Sequence, residues 1–268
     1  MQIQIISDLH LEIERPGSEP GREFYHYNIP VRAEHLALLG DIGWTVEDRL
    51  FEWLEAQLKL FKTVFFVSGN HEPYRSSIEE SYERLTAFAT KVNADASLGT
   101  FVYLNRTRYD ISPTLTILGC TLWSALDPAD LDILSWSLTD FRRIDAFDPA
   151  AYATLHAADV AWLNAAVAAV EPGREVVVFT HHAPTKAGTG DPKFDGAPTN
   201  SAFATELTAD ACWESGKIKM WAFGHTHWCC DFERKGVRVY ANQRGYGQGR
   251  EEYDAGRVLD LAASAEGV

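Results

Sequence analysis

Residues 64–72 read VFFVSGNHE, an apolar run that ends abruptly in small and polar residues. The run Val64–Val67 contains only β-branched and aromatic residues and is followed by glycine, which is typical of a short buried strand. Gly69 lets the backbone approach a ligand closely, and Asn70 and His71 then stand at the carboxyl end of the strand. Ligands of open α/β sheets bind outside these strand ends. The stretch therefore predicts a strand of an α/β sheet with functional side chains after it.

Four other apolar runs end in the same way. They are Ile3–Ile6 before SDLH (residues 7–10), Leu36–Leu39 before GD (40–41), Val176–Phe179 before THH (180–182) and Met220–Phe223 before GHTH (224–227). The runs Leu115–Leu118 and Val237–Tyr240 are predicted as further strands. Apolar residues at helical spacing predict helices over Val46–Phe61, Ser77–Val92 and the Ala-rich residues 150–169. Strands that alternate with helices indicate an α/β or layered α/β fold.

The composition favours one acidic domain. No linker, repeat or low-complexity tract divides the 268 residues, so we expect a single domain over residues 1–268. The formal net charge of -14 and the pI of about 5.0 argue against extended nucleic-acid binding. We expect no signal peptide and no membrane association, because no basic leader and no spanning apolar run is present. The four cysteines do not suggest a disulfide framework at this length, and the cytoplasm is the expected location.

The residue types after the five runs point to metal ions. Asp8 and His10 are two positions apart, so at a strand end both side chains can point to the same side and hold one ion. His225 and His227 repeat this spacing, although a turn could splay them onto two ions. Mixed carboxylate and imidazole ligands suit Mn, Fe, Zn or similar divalent ions. Asp41 stands amid glycines and can offer one carboxylate oxygen to each of two ions.

Two divalent ions would make the site positive inside an acidic protein. If Asp8 and Asp41 are the only carboxylates bound, a surplus of roughly two positive charges remains. This surplus attracts phosphate and lowers the pKa of a bridging water, which makes hydroxide available near neutral pH. We therefore expect the partner to be a small phosphorylated substrate.

Other interpretations of these residues stay open. Any single histidine could be a hydrogen-bonded turn residue, and Asp8 or Asp41 alone could be a helix cap. His225 and His227 with Cys229 and Cys230 could form a structural zinc site, but adjacent cysteines are poorly spaced for it. The sequence has neither a phosphate-binding G-x-x-x-x-G-K-S/T loop nor a G-x-S-x-G elbow. It would be a rare coincidence if the polar residues after all five strands had only structural roles, so two metal ions are the preferred interpretation.

Taken together, the motifs resemble those of the calcineurin-like metallophosphoesterase superfamily. The match consists, in the family's order, of DLH at 8–10, GD at 40–41, GNHE at 69–72, His181 and GHTH at 224–227. The resemblance implies a four-layer αββα sandwich, in which two central mixed β-sheets are flanked by helices. It also implies a dinuclear metal centre. One ion would be held by Asp8, His10 and His227, the other by Asn70, His181 and His225, and Asp41 would bridge them.

The resemblance also implies an activity. His71 resembles the histidine that is not a ligand but steadies the phosphate and protonates the leaving group. His181 is chosen as the ligand over His182 because it directly follows its strand. We expect hydrolysis of phosphomonoesters or phosphodiesters by metal-activated hydroxide. A nuclease and a catalytically silent binding scaffold are the alternatives, although a scaffold should have lost ligands or His71, and here all are present.

Substrate specificity is expected to come from the segments between the motifs. The Pro/Gly-rich segments Glu14–Pro30 and Ala183–Asn200 are candidates, the second as a mobile rim loop. The residues GYGQG at 245–249 lack dinucleotide-binding spacing and are predicted as a turn. The single side chains that could contact a substrate are Tyr74, Arg75, Trp123, Asn242, Arg244 and Tyr246.

Overall fold

A computed structural model describes residues 1–13, 24–246 and 251–261. Within these ranges the chain forms eleven strands in two sheets, numbered in chain order. The strands are β1 (Gln2–Ile6), β2 (His35–Leu39), β3 (Thr63–Val67), β4 (Thr100–Tyr103), β5 (Thr107–Asp110), β6 (Leu115–Cys120), β7 (Glu175–Thr180), β8 (Ile218–Phe223), β9 (Cys230–Arg234), β10 (Val237–Ala241) and β11 (Val258–Asp260).

Both sheets are mixed. The strand order is β11-β1-β2-β3-β4 in the first sheet and β5-β6-β7-β8-β10-β9 in the second. In the first sheet β1 to β4 run parallel, and β11 pairs antiparallel with β1. In the second sheet β6, β7, β8 and β10 run parallel, and β5 and β9 pair antiparallel at the edges. The parallel strands of each sheet therefore bring their carboxyl ends to one edge.

Helices cover the outer face of each sheet. The α-helices of the described residues are α1 (Asp48–Leu58), α2 (Ile78–Asn93), α3 (Leu131–Ser137), α4 (Asp140–Arg143), α5 (Pro149–Ala168) and α6 (Ala211–Glu214). Leu54 of α1 and Leu85 of α2 join Phe66 of β3 in one buried apolar cluster on the first sheet. Leu163 of α5 and Trp221 of β8 lie in a second cluster on the other sheet.

The inner faces of the two sheets pack against each other. Ile5 of β1 and Phe65 of β3 share a third apolar cluster with Val177 and Phe179 of β7. Because β3 is buried on both faces, its sequence is a continuous apolar run rather than an alternating one. The layers follow the order helix, sheet, sheet, helix, which confirms the predicted four-layer αββα sandwich with two central mixed sheets.

The seven predicted strands and three predicted helices are present, with small shifts at their ends. α2 begins after Ser77, whose hydroxyl accepts the N–H of Glu80. α5 begins after Asp148, whose carboxylate caps the helix, and Pro149 occupies its first turn. α1 is shorter than the predicted helix Val46–Phe61. These caps fix where the helices start, which apolar periodicity alone does not.

Two features predicted from the sequence fall partly outside the described ranges. They are the segment Glu14–Pro30, described only from residue 24, and the turn at residues 245–249, described only as far as 246. In the part of the chain that the structure describes, no helix is both long and apolar enough to cross a membrane.

Candidate metal centre

Five loops meet where the carboxyl ends of five strands converge. The loops follow β1, β2 and β3 of the first sheet and β7 and β8 of the second. This edge is the usual ligand-binding edge of α/β sheets, and both sheets contribute to it. The predicted ligands are Asp8 and His10 after β1, Asp41 after β2, Asn70 after β3, His181 after β7, and His225 and His227 after β8.

Asp8, His10 and His227 form a first group of ligand atoms. His10 Nε2 is 3.1 Å from His227 Nε2, and His227 Nε2 is 3.4 Å from Asp8 Oδ1. One ligand atom from each of the three side chains lies within 4.8 Å of the others. Two imidazole nitrogens and a carboxylate oxygen that face one another form a donor set that fits Mn, Fe, Zn or a similar divalent ion.

Asn70, His181 and Asp41 form a second group. His181 Nε2 is 3.1 Å from Asn70 Oδ1 and 3.3 Å from Asp41 Oδ1. His181 Nδ1 lies 2.8 Å from the carbonyl oxygen of Leu39, so Nδ1 donates there and Nε2 is the atom that could bind a metal. Asp41 also lies 3.7 Å, through Oδ2, from His10 Nε2. Asp41 therefore stands between the two groups.

His225 and His182 lie beside the second group. His225 belongs with His181 and His182 to a set whose ligand atoms lie within 4.8 Å of one another. His182 Nδ1 is 2.8 Å from Ser124 Oγ, whereas its buried Nε2 has no hydrogen-bond partner. The contacts to Asn70 and Asp41 belong to His181, but His182 is close enough to be an additional or alternative ligand.

The backbone is left-handed at five of the seven predicted ligands. The φ angles are 56° at Asp8, 45° at His10, 54° at Asp41, 72° at His225 and 51° at His227. This conformation is uncommon for residues with a Cβ and costs about 1–3 kcal/mol each. Backbone strain of this kind clusters at functional sites, where the surrounding structure holds side chains in a required orientation.

Glycines make room for two of these side chains. A Cβ on Gly69 would collide with Asp41 Oδ1, and a Cβ on Gly40 would collide with His181 Nδ1. Gly40 also has a φ of 86°, which a residue with a Cβ rarely adopts. The glycines of the GD and GNHE motifs are therefore required by close packing of the site.

Glu72 ties two of the loops together. Its buried carboxylate accepts hydrogen bonds from the N–H groups of Asp41 at 3.0 Å, Ile42 at 2.8 Å and Gly69 at 2.7 Å. Burial and the nearby charge of Asp41 raise the pKa of Glu72 to about 7. The last residue of the GNHE motif thus positions the loops that carry Asp41 and Asn70.

His71 lies beside both groups and is held by Glu12. Glu12 Oε1 is 3.1 Å from His71 Nδ1 and 3.2 Å from His10 Nδ1. The other ring nitrogen, His71 Nε2, is 3.2 Å from the hydroxyl of Tyr246. His71 also has a ligand atom within 4.8 Å of those of His10 and Asp41. The geometry therefore permits both a proton-transfer role and a ligand role, which a variant can separate.

The carboxylates of the site stabilise the protonated forms of two histidines. Burial disfavours the charged forms of His71 and His181, but the neighbouring carboxylates together outweigh it and raise the pKa of each to about 9. These are Asp41 and Glu12 for His71, and Asp41 and Asp8 for His181. Burial and the neighbouring charge of His181 lower the pKa of His225 to about 3. A metal ion that binds His181 would displace its Nε2 proton, because only neutral imidazole is a ligand.

Asp140 and Tyr74 orient the side chain of Asn70. Asp140 Oδ1 accepts hydrogen bonds from Asn70 Nδ2 at 2.8 Å and from the Tyr74 hydroxyl at 2.6 Å. With its amide nitrogen held there, Asn70 presents Oδ1 to His181 Nε2. A metal ion needs this oxygen, since the amide nitrogen is only a donor. Asp140 is buried and lies on α4, outside every motif that marks the site in the sequence.

Asp140→Ala should weaken metal binding at the group that contains Asn70. The change removes the acceptor that fixes the amide, and loss of such supporting partners typically costs about 10–100-fold in metal affinity. Asp140→Asn keeps an acceptor oxygen and should retain more of the affinity. Metal titration of both variants checks this, with Asp132→Ala on the exposed face of α3 as the control. Unchanged affinity in Asp140→Ala would show that Asn70 needs no such support.

A cleft of about 530 Å³ opens over the two groups. Of the substrate contacts suggested by the sequence, three line the cleft: Tyr74, Arg244 and Tyr246. The other three side chains do not line the cleft and contact other parts of the protein. Trp123 is buried in an aromatic cluster, Asn242 Nδ2 donates to the carbonyl oxygen of Ile5, and Arg75 lies over the ring of Trp44.

The alternative zinc site is not supported. Within residues 1–13, 24–246 and 251–261, no cysteine belongs to a group of three or more side chains placed to hold a metal ion. Cys229 Sγ accepts the N–H of Gln243 at 3.3 Å, and Cys230 begins β9. No disulfide bond joins any of the four cysteines. His225 and His227 face other histidines and carboxylates instead.

The fold is a four-layer sandwich, and its strand ends bring Asp, His and Asn side chains together. This combination is typical of metallohydrolases. The family model described as calcineurin-like phosphoesterase matches residues 1–229. The chain belongs to this family, and its membership supports metal-dependent hydrolysis of phosphate esters in general.

Three similar proteins each match at least 94% of the chain. An uncharacterized protein of Acanthamoeba polyphaga mimivirus is 25% identical over 278 positions, which cover 97% of this chain and 96% of that protein. The crystal structure of phosphopantetheinyl hydrolase from Mycobacterium tuberculosis matches with a TM-score of 0.72 at 18% identity, over 100% of this chain and 98% of the other. A dimetal phosphatase from Danio rerio matches with a TM-score of 0.52 at 13% identity, over 94% and 89%. At these identities, the two solved structures establish the fold.

Proposed function

We propose that this protein hydrolyses small phosphate monoesters or diesters with two divalent ions such as Mn, Fe or Zn. The main support for this proposal is the position of Asp41 between the two groups. Its carboxylate lies 3.7 Å from His10 Nε2 and 3.3 Å from His181 Nε2. Bound ions would supply positive charge for the phosphate and lower the pKa of water in the site. The proposed ligands are Asp8, His10 and His227 for one ion, Asn70, His181 and His225 for the other, and Asp41 for both.

His71 is the proposed general acid. Glu12 holds Nδ1, and Tyr74 stacks on the imidazole with 4.3 Å between ring centroids, so the ring has a fixed orientation. The Tyr246 hydroxyl at 3.2 Å from Nε2 marks where an oxygen atom can approach this nitrogen. A leaving oxygen in such a position can receive the Nε2 proton as the P–O bond breaks.

The cleft supports a small anionic substrate. Its volume of about 530 Å³ lies in the range of small-molecule sites, roughly 300–1,000 Å³. Arg244 lines it and adds positive charge beside the metal groups, whereas the charge of Lys193 is paired with Asp191 at 2.8 Å. The net charge of -14 opposes binding of an extended polyanion, which makes a nuclease the weaker alternative. We also propose a cytoplasmic location, with which four cysteines that form no disulfide bond agree.

A screen of esters with defined metal loading tests the proposed function. Purified protein is stripped with a chelator, reloaded with Mn, Fe or Zn, and assayed on monoesters, diesters, cyclic nucleotides and duplex DNA. A phosphopantetheinyl ester joins the panel because of the name of the Mycobacterium tuberculosis neighbour. We expect hydrolysis of small esters that is lost with the metal and restored by it. Preference for DNA would support the nuclease, and a metal-loaded protein without activity on any ester would support the scaffold.

A further inference from the structure

The residues that follow β10 form a further strand end at the cleft. A backbone hydrogen bond from Arg244 N–H, 3.1 Å long, ties this segment to the residue that follows β1. Gly245 then lies against the side chain of His227, and the ring centroid of Tyr246 is 4.4 Å from that of His10. The segment therefore brings Arg244 to the cleft, next to two residues that contact proposed metal ligands.

Arg244 gives the cleft a positive charge that is not neutralised by a neighbour. Of the described residues that line the cleft, Lys193 and Arg244 are the lysine and arginine side chains. Lys193 pairs with Asp191 at 2.8 Å. Within residues 1–13, 24–246 and 251–261, the guanidinium group of Arg244 has neither a carboxylate partner nor a hydrogen-bond acceptor. Its donors are therefore available to an anionic ligand.

An aromatic ring holds the guanidinium group in place. The guanidinium carbon of Arg244 lies over the ring of Tyr27, 4.3 Å from its centroid. Tyr27 is fixed in turn, because its hydroxyl is 2.9 Å from that of Tyr253 and its carbonyl oxygen accepts the indole N–H of Trp53 at 3.0 Å. A cation is attracted to the face of an aromatic ring, and a stacked guanidinium group keeps its N–H donors free for a ligand.

The position of Arg244 separates its charge from the reacting phosphate. Tyr27 packs against the apolar cluster between the first sheet and its covering helices, so the guanidinium group lies towards that side of the cleft. Among the described residues, no hydrogen bond or ion pair joins Arg244 to His71 or to a proposed metal ligand. The metal groups already supply positive charge for the reacting phosphate. Arg244 is therefore placed to meet another part of the substrate.

We propose that Arg244 binds a second anionic group of the substrate, a carboxylate or a further phosphate on the alcohol part. The planar guanidinium group offers paired N–H donors that match the oxygen atoms of either group. The proposal rests on the proposed function, because it places the reacting phosphate at the metal groups. It narrows the substrate to phosphate esters of alcohols that carry their own negative charge.

Pairs of ligands that differ only in the second charge test this proposal. Phosphonates with a terminal carboxylate, in a series of increasing chain length, are each compared with the neutral carboxamide of the same length. Phosphonates are not hydrolysed, so calorimetric titration of the metal-loaded protein measures binding alone. Hydrogen bonds to charged groups are the stronger ones, so we expect the carboxylate of matching length to bind roughly tenfold more tightly than its amide.

Variants of Arg244 show whether this residue causes the preference. Arg244→Met should remove it, whereas Arg244→Lys should keep part of it, because an ammonium group retains the charge but not the paired donors. Arg84→Met is the matched control and should keep the preference. Arg84 also lies over an aromatic ring, that of Phe51, but it pairs with Asp48 and does not line the cleft.

The corresponding phosphate esters separate this proposal from the proposed function. Carboxyalkyl phosphates and their amides are assayed for hydrolysis beside the binding measurements, and a bisphosphate of a diol tests a phosphate as the second group. Equal binding of carboxylate and amide at every length, or a preference that survives in Arg244→Met, would overturn the proposal and leave phosphate ester hydrolysis standing. A preference that depends on Arg244, without hydrolysis of any ester, would contradict the function instead.

Discussion

Asp41→Asn is expected to weaken the binding of both metal ions and to abolish ester hydrolysis. Its carboxylate faces His10 on one side and His181 on the other, so a neutral amide removes negative charge from both groups at once. Loss of a supporting partner around a metal typically costs about 10–100-fold in affinity, and loss of a shared ligand should cost more at each site. Equilibrium dialysis with elemental analysis measures both affinities, and an ester assay measures the activity.

Asp8→Asn is the informative comparison for Asp41→Asn. Asp8 groups with His10 and His227 and also lies close to Asp41 and His181. As a proposed ligand of one ion only, its substitution should weaken the binding of chiefly that ion. A difference between the two variants in the number of ions affected distinguishes a shared ligand from an ordinary one. If Asp41→Asn bound both ions as tightly as the wild type and kept full activity, Asp41 would have no bridging role.

His71→Asn is expected to retain both ions and to slow the hydrolysis of alkyl esters most. An alkoxide leaving group needs a proton as the P–O bond breaks, and a positioned histidine contributes typically about 10²–10⁴-fold. p-Nitrophenolate is a stable anion and needs this proton less. The ratio of kcat for an alkyl phosphate to kcat for p-nitrophenyl phosphate should therefore fall in the variant.

The same variant separates the two roles that the geometry permits for His71. If His71 binds a metal ion together with His10 and Asp41, its substitution should release that ion. The metal content is therefore measured beside kcat. His26→Asn, at an exposed position, should change neither quantity. Equal losses of kcat on the two leaving groups would remove His71 from the acid role and leave it as a phosphate-positioning or structural residue.

The central strands could be predicted from the sequence, but the edge strands could not. After their first residues, β2 and β3 are buried on both faces and appear as unbroken apolar runs. The four strands without a recognisable pattern in the sequence are the edges of the two sheets: β4, β5, β9 and β11. β5 and β9 contain half-buried and exposed residues and no apolar run, because one side of an edge strand meets solvent or a loop.

The site could be predicted where its residues directly follow a predicted strand. Because the strand ends converge at one edge, these residues can be expected to lie together even when the structure of the loops between them is unknown. The supporting residues gave weaker signals. Glu12 repeats the two-residue spacing of Asp8 and His10 and could have been found from it. Asp140 could not, since only tertiary packing places α4 beside Asn70. The left-handed backbone at five of the predicted ligands likewise depends on the packed structure.

The metal content of the wild-type protein tests the central claim most directly. Protein stripped with a chelator is titrated with Mn, Fe or Zn, and the bound metal is counted by elemental analysis after dialysis. The two groups that meet at Asp41 predict saturation at about two ions per chain. Saturation at one ion per chain under all three metals would contradict a dinuclear centre and, with it, the shared role of Asp41.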